Sequence, residues 1–357
     1  MFFTPIIKPL DGVCNLSCKY CYFKNITEKQ KTVSIMSDLI LEKTIALFCN
    51  NQTHIEFIWH GGEPLLAKIA FYKKVIDIQK YFKSTGIKIK NSIQTNATLI
   101  DKDWAMFFKE NNFSVGVSID GPKNLHDKFR YYENHSGSYE NTIKGIKLLQ
   151  EFGVDFGIIC CINSNSINEY DSIFNFFIEN KITNIKFSRV RSFDGDSSYA
   201  ISQKEYTKFL LTIFQKWIDM DNDNIKIRDI ESIVNTILGG NQRECIFASK
   251  CHKYLTIYSN GDIYPCDSIS KNTKYFFGNV LKNNSADILK NTNFINLKKE
   301  LYKKQIYCKN CRYRKICRGG CFLDWQRDEN GCKNISCEDL KYMFANFYSI
   351  LDQYNLL

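Results

Sequence analysis

The chain contains no run of about 18 apolar residues, which excludes a membrane-spanning helix. Its first residues, MFFTPIIKPL, include Pro5 and Pro9 and no long apolar core, so they do not make a secretion signal. A cytoplasmic protein with no membrane partner is expected. Internal repeats and low-complexity linkers are lacking as well. The formal charge is +10, yet lysine and arginine are distributed along an Asn- and Lys-rich chain that carries no nucleic-acid-binding motif. The charge is therefore read as background, and no nucleic-acid partner is expected.

Apolar surface, by contrast, is ample. Hydrophobic residues make up 44% and aromatics 14%, with 27 Phe and 20 Tyr, so a large core can be buried. At 357 residues the chain can form one large α/β barrel with an appendage. Cysteine is the other abundance, at 15. In a chain without a secretion signal these thiols point to metal binding or catalysis, because a reducing compartment disfavours structural disulfides. Cys14, Cys18 and Cys21 lie close together near the start, whereas nine cysteines follow position 240.

Strand-like runs at 2–8, 54–59, 87–94, 113–119, 154–162 and 184–190 are each followed by a helical pattern, at 38–49, 69–83, 101–111, 139–152, 168–180 and 203–219. Six βα units predict a parallel sheet closed part of the way towards the eight-unit barrel. Chemistry in such folds sits on loops after the strands, which is where the motifs fall. Cys14 to Cys21 follow the first strand and Gly61 to Pro64 the second, while Gln94 to Asn96 end the third and Ser118 to Pro122 the fourth. A helical stretch at 226–238 ends at Gly239-Gly240, after which the chain reads as loop-rich and cysteine-dense. The expected division is a barrel at 1–235 and a cysteine-rich domain at 240–357.

The spacing C-x3-C-x2-C offers three thiolates to a four-iron cluster and leaves one iron without a protein ligand. An incomplete zinc site or buried core cysteines are the alternatives on spacing alone. Downstream come Cys251, Gly261 and Cys266, then Cys308-x2-Cys311-x5-Cys317-x3-Cys321, and last Cys337, with Cys245 an eighth candidate. Two fully ligated four-iron clusters or a pair of zinc ribbons would both use such a set. Cys49, Cys160 and Cys161 stand in apolar surroundings and are read as packing residues.

These motifs resemble the radical S-adenosylmethionine (SAM) superfamily with a SPASM domain. The N-terminal triad, His60-Gly61-Gly62-Glu63-Pro64, SIQTNATL at 92–99, SIDGP at 118–122, LHDKFR at 125–130 and CRGGC at 317–321 are most similar to anaerobic sulfatase-maturating enzymes and related peptide maturases. The resemblance implies an α/β fold, a partial (β/α)6 radical SAM barrel with a C-terminal cysteine-rich SPASM domain. It implies S-adenosylmethionine and three 4Fe-4S clusters, one held by Cys14, Cys18 and Cys21 and two auxiliary. The nearer auxiliary cluster would take Cys245, Cys251, Cys266 and Cys321, the outer one Cys308, Cys311, Cys317 and Cys337, with Cys332 competing with Cys337 for the last place.

By the same resemblance Tyr20 packs near the adenine, Gly61, Gly62 and Glu63 receive the methionine moiety, Ser118 and Asp120 lie beside the ribose, and Arg130 pairs with the carboxylate. Asp267, next to Cys266, matches the proposed base of the sulfatase activators. One departure stands out: His60 occupies the place where those enzymes carry Gln before GGEP. It either contacts substrate or lies beneath the barrel mouth. The implied substrate is a Cys or Ser side chain of a peptide or protein, oxidised to formylglycine, with an electron donor such as flavodoxin or ferredoxin. The alternative is a maturase forming thioether or carbon–carbon crosslinks, although no leader-recognition domain precedes the barrel.

Overall fold

The computed structural model describes residues 3–23, 34–50, 52–192, 198–269, 273–328 and 331–357, without the side chains of 327, 328, 331 and 332. Six strands each precede a helix: β1 (Thr4–Ile7) and α1 (Asp38–Cys49), β2 (His54–Trp59) and α2 (Lys68–Ser84), β3 (Lys88–Thr95) and α3 (Lys102–Glu110). Then follow β4 (Phe113–Ser118) and α4 (Tyr139–Glu151), β5 (Phe156–Ile162) and α5 (Tyr170–Glu179), β6 (Asn184–Arg189) and α6 (Gln203–Met220). The rest comprises β7 (Lys226–Ile227), α7 (Arg228–Ile237), β8 (Tyr254–Ile257), β9 (Asp262–Tyr264), β10 (Gly278–Asn279), α8 (Ser285–Lys290), α9 (Thr292–Tyr307), β11 (Trp325–Asp328), β12 (Gly331–Asn334) and α10 (Cys337–Gln353).

Two compact units interleave in sequence, one of residues 1–119, 126–157 and 251–298, the other of 120–125, 158–250 and 299–357. In the first, β1 pairs in parallel with β2, β2 with β3 and β3 with β4. Along β2 the residues Ile55, Phe57 and Trp59 are buried in alternation, as the two-residue period of a strand requires. Trp59 packs edge-on against Phe71 and Tyr72, and its indole N–H donates to Asn91 Oδ1 at 3.0 Å. Asn91 in turn exchanges hydrogen bonds with Gln79, so the buried amides are satisfied. Asp101 caps α3 by accepting from Trp104 N at 2.9 Å.

The other edge of β1 pairs in parallel with β8, to which β9 and then β10 add antiparallel. This region was expected to be loop-rich. Gly261, at the β8–β9 turn, has φ +86°, and a Cβ there would lie 2.9 Å from Val280 Cγ2, so only glycine fits.

In the second unit β5 pairs in parallel with β6, and β6 with β7. Lys226 and Ile227 were expected to open a helix; instead they extend beside Asn184 and Ile185, and α7 starts at Arg228. The free edge of β6 supplied a partner that periodicity could not register. Ser202 and Glu205 form a capping box at the start of α6. Phe214 of α6 stacks on Phe347 of α10 with ring centroids 4.5 Å apart. The two long helices α9 and α10 occupy chain that was read as loop. No helix among the described residues is long and apolar enough to cross a membrane.

Candidate active site

The loop after β1 carries Cys14, Cys18 and Cys21. Ser17 N donates to Tyr131 O at 2.7 Å and Lys19 N to Phe129 O at 2.9 Å, which ties the loop to the segment before α4. Two donors face the Cys14 sulfur: Leu16 N at 3.4 Å and Asn96 Nδ2 at 3.7 Å. Burial first, then Glu63 and the thiols of Cys18 and Cys21, push the Cys14 thiol up to about 12. The Cys14 thiol ionises readily only beside a strong cation, so the three thiols of this loop fit a metal cluster.

Gly61 and Gly62 pack on the backbone just ahead of Cys14. Gly62 N donates to Asp11 O at 2.9 Å and Glu63 N to Val13 O at 2.8 Å. A Cβ on Gly62 would lie 2.0 Å from Val13 O, and one on Gly61 would lie 2.4 Å from Asp11 O. The close approach these glycines allow is thus to the chain's own cysteine loop. Glu63 is 1% exposed. It accepts from Leu65 N at 3.0 Å, Thr95 Oγ1 at 2.7 Å and Asn96 N at 2.8 Å. Burial lifts its carboxyl to about 7 in spite of these donors. Glu63 therefore clamps the β2 loop to the end of β3. Glu63→Ala, which strands three donors, is expected to cost about 2–4 kcal/mol, read as a lower urea midpoint under anaerobic conditions.

Tyr20 stacks on Phe129 at 5.8 Å, and the Arg130 guanidinium lies 5.4 Å from the Tyr20 ring, so these two expected residues share one corner. Ser118 Oγ accepts from Gln94 Nε2 at 3.0 Å. Asp120, in the second unit, is buried and accepts from Cys161 N of β5 at 2.9 Å. Cys49 and Cys160 are buried, whereas Cys161 is half-buried.

Asp267 follows Cys266 in a short turn, and its surroundings were not foreseen. Lys8, fully buried at the end of β1, places Nζ 2.5 Å from Asp267 Oδ1. Tyr22 donates its hydroxyl to Asp267 Oδ2, and His60 Nδ1 stands 3.8 Å away. The Lys8 ammonium also lies 3.9 Å from the Phe23 ring centroid and 3.4 Å from Tyr258 Oη. Burial opposes ionisation of Asp267, but Lys8 first, and the hydrogen bonds from Lys8 and Tyr22, hold its carboxyl below the ordinary range. His60 Nδ1 accepts from Gly61 N at 2.8 Å, and burial lowers its pKa, so its ring is held neutral with the proton on Nε2. A lysine interrupting the apolar run TPIIKPL, and Tyr22 directly after Cys21, were the signals available in the sequence.

In the second unit Cys308, Cys311, Cys317 and Cys337 line one cavity of about 360 Å³, with Tyr307 and Trp325 at its wall. Burial first, and the neighbouring thiols after it, push Cys317 up to about 12. Among the described residues no three ligating side chains converge as a single ion requires. The four thiols instead surround a space that suits a larger, polynuclear group. The side chain of Cys332 lies outside the described residues. Cys251 and Cys266 belong to the first unit, Cys245 and Cys321 to the second.

The Radical SAM superfamily profile matches residues 11–177, and that of the SPASM iron-sulfur cluster-binding domain matches 245–312. Fold and sites thus define a radical SAM enzyme with a SPASM extension. A cysteine-type anaerobic sulfatase-maturating enzyme of Clostridium novyi is 32% identical over 97% of this chain and 95% of its own. A serine-type enzyme of Bacteroides thetaiotaomicron is 33% identical over 88% of this chain and 81% of its own. The solved structure of anSMEcpe with bound AdoMet and a Cp18Cys peptide superposes with TM-score 0.89 at 29% identity, covering 99% of both chains. Streptococcus suis SuiB bound to S-adenosylmethionine shares the fold alone, with TM-score 0.67 at 17% identity over 90% of this chain and 73% of its own. The chain belongs to the anaerobic sulfatase-maturating enzymes.

Proposed function

We propose that this enzyme oxidises a Cys or Ser side chain of a sulfatase-type peptide to formylglycine. The observation that carries the reading is the buried Lys8–Asp267–Tyr22 group beside Cys266, in a chain that sulfatase-maturating enzymes match almost from end to end. Cys14, Cys18 and Cys21 would hold the cluster that binds S-adenosylmethionine. Tyr20, Gly61, Gly62, Glu63, Ser118, Asp120 and Arg130 would form the cofactor's surroundings. Cys245, Cys251, Cys266 and Cys321 would hold the inner auxiliary cluster, and Cys308, Cys311, Cys317 and Cys337 the outer one.

Together these groups supply a hydrogen-abstracting carbon radical and an acceptor for one electron. The chain's own part is proton transfer and positioning. Asp267, kept ionised by Lys8, accepts the proton that the substrate thiol or hydroxyl gives up, and Tyr22 fixes which carboxylate oxygen faces the substrate. Function, in this reading, divides the chain at about 235–240, the enzyme works in the cytoplasm, and a flavodoxin or ferredoxin donates electrons.

His60, beside Asp267 where the sulfatase activators carry Gln, favours a second reading in which the same abstraction forms a peptide crosslink. Mass spectrometry of a Cys- and a Ser-containing sulfatase-motif peptide, incubated anaerobically with enzyme, cofactor and reductant, separates the two. Formation of the aldehyde from either peptide supports formylglycine synthesis; cofactor cleavage with both peptides unchanged sinks it. Asp267→Asn should leave cofactor cleavage intact and cut product by about 100-fold or more, the scale of a lost general base. Full yield from that variant removes Asp267 from the role.

A further inference from the structure

A buried side-chain amide takes the orientation that satisfies it, so its partners show which way each N–H points. Asn96 directly follows β3 and is 7% exposed. Its Oδ1 accepts from Thr98 N at 3.0 Å and from Thr98 Oγ1 at 2.7 Å. Its Nδ2 donates to Asn15 Oδ1 at 2.9 Å, and Asn15 Nδ2 donates to Thr98 Oγ1 at 2.9 Å. Both ends of the amide are thereby assigned, and the remaining N–H of Nδ2 faces the Cys14 sulfur at 3.7 Å. Asn15 Oδ1, itself 3.9 Å from that sulfur, is covered by the same amide.

The turn that carries this amide is held against its own preference. Ala97 has φ +61°, a left-handed conformation that a side chain disfavours. Ala97 N donates to Thr95 Oγ1 at 3.0 Å, and Thr142 Oγ1 of α4 donates to Asn96 O at 3.1 Å. Gly145 lets α4 come so close that a Cβ there would lie 2.4 Å from Ala97 O. Asn96 N is taken by Glu63 Oε2 at 2.8 Å, which leaves the side chain to the sulfur. Strain retained under that many constraints points to a task for the side chain it presents. All of these residues lie in the first unit, as do Cys14, Cys18 and Cys21.

We propose that Asn96 tunes the iron-sulfur cluster held by Cys14, Cys18 and Cys21, its amide N–H raising the reduction potential of that cluster through the Cys14 sulfur. The inference rests on the cluster assignment made above. One-electron reduction adds a negative charge that the ligating sulfurs share, and a donor fixed on one of them stabilises the reduced form more than the oxidised one. Leu16 N, 3.4 Å from the same sulfur, acts in the same sense, but it is backbone and no side-chain change removes it. Asn96 is a positioning residue in this role. It acts on a ligand of the cluster rather than on the reacting atoms, and it brings the cluster within reach of a weaker one-electron donor.

The test is EPR of the full chain, reconstituted anaerobically and poised at a series of potentials, with the N-terminal cluster recognised as the one whose signal S-adenosylmethionine alters. Asn96→Ala should make reduction of that cluster about tenfold less favourable, the scale of one hydrogen bond to a charged group and equal to about 59 mV for one electron, and leave the auxiliary clusters in place. Asn96→Asp, which keeps the bonds from Thr98 and sets a carboxylate oxygen against the sulfur, should lower the midpoint further. Thr98→Val loosens the same turn but leaves the amide over Cys14, held through Thr98 N, so its midpoint should stay with the wild type. A merely structural role would not give that order. Equal midpoints in wild type and Asn96→Ala, an Asn96→Asp midpoint above that of Asn96→Ala, or a Thr98→Val shift as large as that of Asn96→Ala overturns the tuning. Should Asn96→Ala lose its iron, Asn96→Asp decides alone: a lower midpoint supports the proposal, and an unmoved midpoint or a lost cluster overturns it. A wild-type protein in which S-adenosylmethionine alters no signal overturns the cluster assignment instead.

Discussion

Cys18→Ala abolishes release of 5′-deoxyadenosine from S-adenosylmethionine, measured by chromatography under saturating reductant. Cys18 is the buried member of the triad, and the turn from Cys18 O to Cys21 N, at 3.2 Å, sets the spacing of the last two thiols. With two thiolates left, no four-iron cluster with a single open iron can be retained. The iron content should fall from about twelve to about eight per chain, because the auxiliary cysteines are untouched. The residue change itself is small and hardly alters packing. Turnover that persists in Cys18→Ala would remove the triad from the reaction, whatever the auxiliary sites hold.

Lys8→Met has the largest expected effect on stability. It leaves the length of the side chain and takes away its ammonium, so Asp267 remains buried with Tyr22 and His60 but without its cation. Breaking a buried ion pair from one side costs about 3–5 kcal/mol, far more than the pair itself contributes. The anaerobic urea midpoint should drop accordingly. The double variant Lys8→Met/Asp267→Asn should recover most of the loss, because a neutral amide needs no counter-ion. A double variant as unstable as Lys8→Met alone would mean that Lys8 acts through its packing on Phe23 and Tyr258, and that the charge is incidental.

The two predictions differ in where their basis was visible. The triad could be read directly: its three thiols lie on one short loop, and the period of the flanking residues placed that loop after a strand. The six βα units were equally legible, since strand and helix periods are properties of adjacent residues, and observed bounds such as 54–59 and 38–49 agree with those expected. The short strand β7 was not, because Lys226 and Ile227 extend only when the edge of β6 is there to receive them.

By itself, then, the sequence determined the order of strands and helices, the cysteine loop and the family of chemistry, all of which depend on spacing along the chain. Only the tertiary structure brought Lys8, Tyr22 and His60 around Asp267, and Tyr258 against Lys8, the last pair across a separation of 250 residues. It alone set Arg189 and Arg191 on the one carboxylate of Asp324. A buried ion pair leaves no periodic trace in the sequence. Its partners are chosen by strand register and by the cost of an unmatched charge, and both are decided when the sheet assembles.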